Sequence, residues 1–210
     1  MGRPFLIGIT GPICTGKSTI ADAFSDKSIP VVSGDNIGHR ILNQQGIINR
    51  LLEELGDSIR DDGGIDRKKL SEMVFEDETK MNLLNEIVHP PLLDEMWNEI
   101  DRSHREGNEI IVVDASLIYF WGIEKRFNII ITALAPPNKR IGWIEKRFNI
   151  DRAGALKRLN FHLKIETQIL NAKRRPDFVI ANDNDLSTLK ERAEQIVKEV
   201  MLIYGLYNKS

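Results

Sequence analysis

Residues 11–18 read Gly11-Pro12-Ile13-Cys14-Thr15-Gly16-Lys17-Ser18, which is Gly-x-x-x-x-Gly-Lys-Ser, and they follow the apolar run Phe5-Leu6-Ile7-Gly8-Ile9. A buried strand feeding a glycine-containing loop and then a helix is the setting of a phosphate-binding loop, and few folds accommodate it. Backbone N–H groups in such a loop point inward and cradle phosphate oxygens. The N-terminus of the following helix, expected over Ser18–Ser25, adds partial positive charge. Lys17 can then reach the β/γ-phosphates and the Ser18 hydroxyl can ligate Mg²⁺. The expected ligand is a nucleoside triphosphate, cradled by Gly11, Cys14, Thr15, Gly16, Lys17, Ser18 and Thr19.

The rest of the chain agrees with that start. Four more apolar, β-branched runs lie at Pro30–Ser33, Ile110–Val113, Ile129–Leu134 and Phe178–Ala181. They are continuous rather than alternating and are separated by long helical stretches, which predicts an α/β fold with a mostly parallel sheet covered by helices on both faces. Between the second and third runs lie helical periodicities (Ile47, Ile48, Leu51, Leu52, Leu55; then Met81, Leu84, Ile87, Val88) around the turn signal Asp61-Asp62-Gly63-Gly64. The organisation read from this is a nucleotide-binding core of residues 1–35, 106–137 and 176–210, a helical substrate-binding insertion of 36–105, and a basic helical lid of 138–175. A last helix near Leu186–Tyr204 presents Leu189, Ala193, Ile196, Val197 and Val200 on one face.

Composition excludes several classes. A formal net charge of −2 over 210 residues gives no basic field for nucleic acid. No run of about 18 apolar residues is present, so no membrane span is expected. Cys14 is the one cysteine, which rules out an intrachain disulfide and fits a cytoplasmic setting. His39, His104 and His162 lack metal-ligand spacing with it, so no zinc site is expected. The partner expected is a small-molecule substrate; oligomeric state is not legible. Ile123–Ile129 and Ile144–Ile150 are an identical heptapeptide, Ile-Glu-Lys-Arg-Phe-Asn-Ile, too few copies for a repeat fold.

Beyond the loop, the chain resembles the dephospho-CoA kinase family across roughly residues 5–204. The matching stretches are Gly8-Ile9-Thr10-Gly11 with Gly16-Lys17-Ser18-Thr19, and Val31-Val32-Ser33-Gly34-Asp35 with Ile37 and Arg40. Asp62-Gly63-Gly64-Ile65-Asp66-Arg67 with Leu70, Val74-Phe75, His89-Pro90 and Asp177-Phe178-Val179-Ile180-Ala181-Asn182 complete the set. The resemblance implies a P-loop kinase fold and transfer of the γ-phosphoryl of ATP, with Mg²⁺, to the ribose 3′-hydroxyl of dephospho-CoA. A kinase of another nucleoside-like acceptor, or a nucleotide-binding protein with little turnover, are the alternatives. The chain departs from the family pattern at several positions. Ser33 stands where the family has a first carboxylate, and Pro12 and Cys14 stand where it has glycine. Phe120 replaces a carboxylate, Trp143 a lid arginine and His162 a glutamine.

The resemblance also assigns roles. Arg147 aligns with a lid arginine, which would neutralise charge developing in transfer; Arg152 and Arg158 are weaker candidates for the same work. Arg40, Arg67 and His89 would serve the acceptor or closure of the insertion, although a His before Pro90 could simply end a helix. Asn182 would approach the adenine. Asp35 is expected at the end of the second strand, beside the P-loop strand, to orient or deprotonate the acceptor hydroxyl; the alternative is an N-cap for a helix from Asn36. Asp114, directly after the third strand, is a candidate for organising Mg²⁺ and for the acceptor side, or a plain strand-end carboxylate. Tyr119, Phe120 and Trp121 read as packing or as a wall against the acceptor. Cys14, among phosphate-binding amides, is expected to have a lowered pKa.

Overall fold

A computed structural model describes residues 2–183 and 185–207. Tertiary contacts divide the chain into two compact units, Met1–Val32 with Ile100–Ser210, and Ser33–Glu99.

The first unit is built on five strands. They are β1 (Phe5–Thr10), β2 (Val31–Ser33), β5 (Ile110–Asp114), β6 (Ile129–Leu134) and β7 (Phe178–Ala181). The sheet order is β2-β5-β1-β6-β7. The β1–β5, β1–β6 and β6–β7 ladders are parallel, and β1 pairs Ile9 with Asp114 on one side and with Ile131 on the other. Every β1 residue is buried, as the central strand of a parallel sheet requires. The order corrects one expectation. The neighbours of the P-loop strand are β5 and β6, and β2 lies one strand further out, because β5 returns between them.

One face of the sheet buries Ile7, Ile9, Val112, Ile129 and Ile131 under α1 (Lys17–Ser25) and α8 (Leu186–Tyr207). From α8 come Leu189, Ala193, Val197 and Val200, on the spacing an amphipathic helix provides. The opposite face is buried too, with Ile118 and Phe127 lying over Gly8. Helices α6 (Pro137–Phe148) and α7 (Arg152–Asn171), the stretch read as a lid, belong to this first unit. They share a small apolar cluster of Ile141, Ile144, Ala155 and Leu159.

The second unit contains α2 (Gly34–Ile41), α3 (Gln45–Leu55), a hairpin of β3 (Arg60–Asp61) and β4 (Gly64–Ile65), α4 (Arg67–Glu76) and most of α5 (Glu78–Arg105). Its core is Ile37, Ile41, Ile48, Leu51, Ile59, Leu70, Val74, Ile87 and Met96. The hairpin is the non-helical element of a segment expected to be helical. It closes through Asp62-Gly63, with Gly63 at φ 87, a position that glycine fills without strain. Helix α5 corrects a second expectation: it continues through Pro90 and Pro91 rather than ending at His89. Two prolines cannot donate to the helix ladder. The helix persists because Ile87 and Val88 on one side of them and Leu92 and Met96 on the other are all buried.

Candidate active site

The loop between β1 and α1 is shaped by two glycines. Gly11 has φ 138, and a Cβ there would lie 2.3 Å from the Ala133 carbonyl oxygen. Gly16 has φ 97 and would meet Leu189 Cδ2 at 2.6 Å. At Gly11 a Cβ would run into the β6 backbone; at Gly16 it would push the tip of the Leu189 side chain aside, and the left-handed backbone itself favours glycine. Within the loop, Thr15 Oγ1 and Lys17 Nζ both donate to the Pro12 carbonyl, at 2.9 and 3.0 Å. Lys17 is thus folded back along the loop with its ammonium on the Pro12 carbonyl, and Ser18 is exposed in the first turn of α1. Asn182 follows β7 and braces the loop from the other side, donating from Nδ2 to the Thr15 carbonyl at 3.3 Å.

Cys14 corrects the expected lowered pKa. Burial pushes the thiol up, and this outweighs the cations Arg147, Lys17 and Arg140, which pull it down. Cys14 is therefore a protonated thiol at neutral pH. The same electrostatics place Arg147: its guanidinium is near enough to the Cys14 thiol to pull its pKa down, so the lid-arginine candidate stands at the phosphate loop. It also lies 5.5 Å from the Phe148 ring centroid. Arg158 covers that ring more closely, at 4.3 Å, and Arg152 is exposed at the start of α7.

Two residues that the sequence reading passed over as candidates hold the loop as well. Arg140 is fully buried. It donates from Nε to the Ile13 carbonyl at 3.1 Å and from Nη1 to Glu166 Oε2 at 3.0 Å. His162 Nδ1 accepts the Ile13 N–H at 3.2 Å. A readable signal existed for Arg140: it adjoins Ile141 and stands four residues before Ile144, on the apolar face of α6.

Asp114 ends β5 half-buried, opposite Ile9. Tyr119 packs: burial pushes its phenol up to about 12. Phe120 is 41% exposed. In the second unit, Asp35 is not the strand-end residue expected. The strand ends at Ser33, whose hydroxyl caps α2 by accepting from Asn36 N at 3.3 Å. Asp35 is therefore an exposed carboxylate in the first turn of α2 and not its N-cap. Arg40 pairs with Glu99. Arg67 reaches back to the last turn of α2, donating to the His39 carbonyl at 3.2 Å and to Asn43 Oδ1 at 3.0 Å. The arginine pair thus fixes α2 within its unit.

Burial lowers His162 to about 3, helped by Lys17, Arg140 and Arg158, and lowers His89 to about 4. Both are neutral when folded, while the unfolded chain titrates near the ordinary 6.5. Between those values the unfolded state binds more protons, so stability present above pH 6.5 is lost as pH falls toward 4. Thermal melts over that range should show Tm falling with pH, and His162→Gln should flatten the slope. An unchanged slope in His162→Gln would show that this imidazole does not titrate on unfolding.

Among the described residues, no group of three or more His, Cys, Asp or Glu could hold a metal. A hard cation bound together with a nucleotide takes one or two protein oxygens and completes its shell with phosphates and water. Ser18 and Asp114 supply oxygen donors of that kind.

Comparisons with known proteins agree with this geometry. A sequence model of the family described as dephospho-CoA kinase matches residues 5–188. A dephospho-CoA kinase of Bacillus cereus is 30% identical over 200 residues, covering 94% of this chain and 98% of the relative. A solved protein of Thermus thermophilus superposes with TM-score 0.71 at 26% identity, covering 94% of this chain and 98% of that one. Dephospho-CoA kinase from Campylobacter jejuni shares the fold, with TM-score 0.63 at 22% identity and coverage of 93% and 96%. With strand, loop, sheet and sequence in agreement from β1 to the start of α8, the chain belongs to the dephospho-CoA kinase family.

Proposed function

We propose that the protein transfers the γ-phosphoryl group of ATP to the ribose 3′-hydroxyl of dephospho-CoA, giving CoA. Family membership carries the acceptor, and the loop built on Gly11, Gly16 and Lys17 supports the triphosphate. Phosphoryl transfer needs little covalent help from protein; it needs aligned oxygens and cations where charge develops. Pro12 has no N–H, and the N–H of Ile13 is already taken by His162. The phosphates therefore fall to the amides from Cys14 to Thr19. Lys17 holds the β/γ-oxygens, and Arg147, beside Cys14, supplies a second cation. Asn182 faces Gly16 at the start of α1, the side the family resemblance gives to adenine. Ser18 and Asp114 would hold Mg²⁺, which when bound neutralises phosphate charge. In the second unit Asp35 positions or deprotonates the acceptor hydroxyl, and Arg40, Arg67 and His89 shape the acceptor site.

The test is ADP formation with dephospho-CoA, adenosine and nucleoside monophosphates as acceptors. Turnover is expected with dephospho-CoA. Turnover confined to another acceptor, or ATP binding with no transfer, overturns the assignment. Ligand linkage gives a second check. MgATP at about 100 times Kd should add roughly 2.7 kcal/mol of stability, a Tm rise of roughly 5–10 °C for a chain of this size. No shift at millimolar MgATP would remove the nucleotide from the proposal.

A further inference from the structure

The peptide of Ile13 is gripped from both sides by the α6–α7 pair. Its N–H donates to His162 Nδ1 and its carbonyl accepts from Arg140 Nε. Arg140 is itself fixed by Glu166 and completely buried. The Ile13 and Cys14 side chains fill a socket made by Ile141, Ile144, Ala155 and Leu159. The residue that follows, Cys14, has φ 56, a left-handed conformation that is costly for any residue with a Cβ. Such conformations persist only where the surroundings over-determine them. Here the surroundings act on the residue immediately before.

We infer that Arg140 and His162 are positioning residues for phosphoryl transfer: by clamping the Ile13 peptide they hold Cys14 left-handed and so aim the loop's amides at the phosphates. The inference rests on the phosphate-loop reading above. The clamp needs a neutral imidazole with its proton on Nε2, since Nδ1 accepts. Burial, with Lys17 on α1, Arg140 on α6 and Arg158 on α7 around the ring, keeps it neutral. Arg140 contributes what a neutral side chain could not, a planar fork that reaches the Ile13 carbonyl and Glu166 together. The clamp matters in this chain because residue 14 has a side chain. A glycine there would adopt the conformation unaided.

The experiment measures MgATP affinity by calorimetry and steady-state kinetics with dephospho-CoA. The proteins are the wild type, His162→Leu, His162→Gln, Cys14→Gly and Cys14→Gly/His162→Leu. His162→Leu should raise the Kd and KM for ATP by about tenfold, equivalent to 1.4 kcal/mol, with the KM for dephospho-CoA unchanged. His162→Gln, whose Oε1 can accept the same N–H, should restore affinity to within about threefold of wild type. In the Cys14→Gly background the same His162→Leu step should cost less than about threefold, a non-additivity expected only if the two residues act on one loop conformation. A folded His162→Leu with wild-type ATP affinity, or an equal loss in both backgrounds, overturns the clamp while leaving the kinase assignment standing. A wild type that binds no ATP overturns the phosphate-loop reading and the clamp together. Should His162→Leu not fold, NMR decides: a scalar coupling across the hydrogen bond between the Ile13 amide nitrogen and His162 Nδ1 supports the clamp, and its absence in the wild type overturns it.

Discussion

Lys17→Ala lowers kcat/KM for ATP by about a thousandfold or more, while the protein stays folded. The magnitude follows from what one preorganised charge contributes where transition-state charge develops, roughly 10²–10³-fold, with loss of ground-state phosphate affinity added to it. The fold should survive. Inside the protein the ammonium makes a hydrogen bond to the Pro12 carbonyl, worth roughly 1 kcal/mol, and the glycines that shape the loop are untouched. Thr15 Oγ1 still donates to that carbonyl, so the acceptor is not orphaned. Calorimetry and an ADP-release assay check the two halves separately. ATP binding to Lys17→Ala at wild-type strength would end the phosphate-loop assignment.

Asp35→Asn lowers kcat by roughly 10²–10⁴-fold, the usual value of general-base assistance, with ATP affinity nearly unchanged. The structure makes this a clean substitution. Ser33, not Asp35, caps α2, so the helix keeps its start. The exposed carboxylate loses only a favourable interaction with the helix N-terminus, worth about 0.3–1 kcal/mol. Ser33 stands where the family pattern has its first carboxylate, so no neighbour in that motif can compensate. Full turnover by Asp35→Asn on dephospho-CoA would exclude Asp35 as the base and make Asp114 the candidate.

Much of the architecture was legible because its signals are local. The runs Ile129–Leu134 and Phe178–Ala181 are strands with those same limits, since continuous β-branched runs suit a parallel sheet; β6 is covered on both faces, while the edge strand β7 leaves Val179 exposed. The strand–loop–helix around Lys17 was legible for the same reason: its glycines, apolar run and helix all lie within a few residues of one another. The β3–β4 hairpin was missed because two-residue strands made of Arg60, Asp61, Gly64 and Ile65 carry no periodicity. The helix through Pro90-Pro91 was misjudged because proline is a local breaker, and burial around Ile87 and Met96 overrode it.

The heptapeptide Ile-Glu-Lys-Arg-Phe-Asn-Ile marks where sequence stops deciding. At Ile123–Ile129 it is a 3₁₀ turn running into β6; at Ile144–Ile150 it ends α6, with Asn149 left-handed at the cap. Propensities differ between states by a few tenths of a kcal/mol per residue. Burying a side chain such as Phe127, 2% exposed, contributes about 1.5–3 kcal/mol. Long-range packing therefore wins. By itself the sequence determined the phosphate loop, the five strands of the main sheet and their order along the chain. The tertiary structure decided what depends on distant partners. It inserted β5 between β1 and β2, chose two conformations for one heptapeptide, and brought Arg140 and His162 across 127 and 149 residues to the Ile13 peptide.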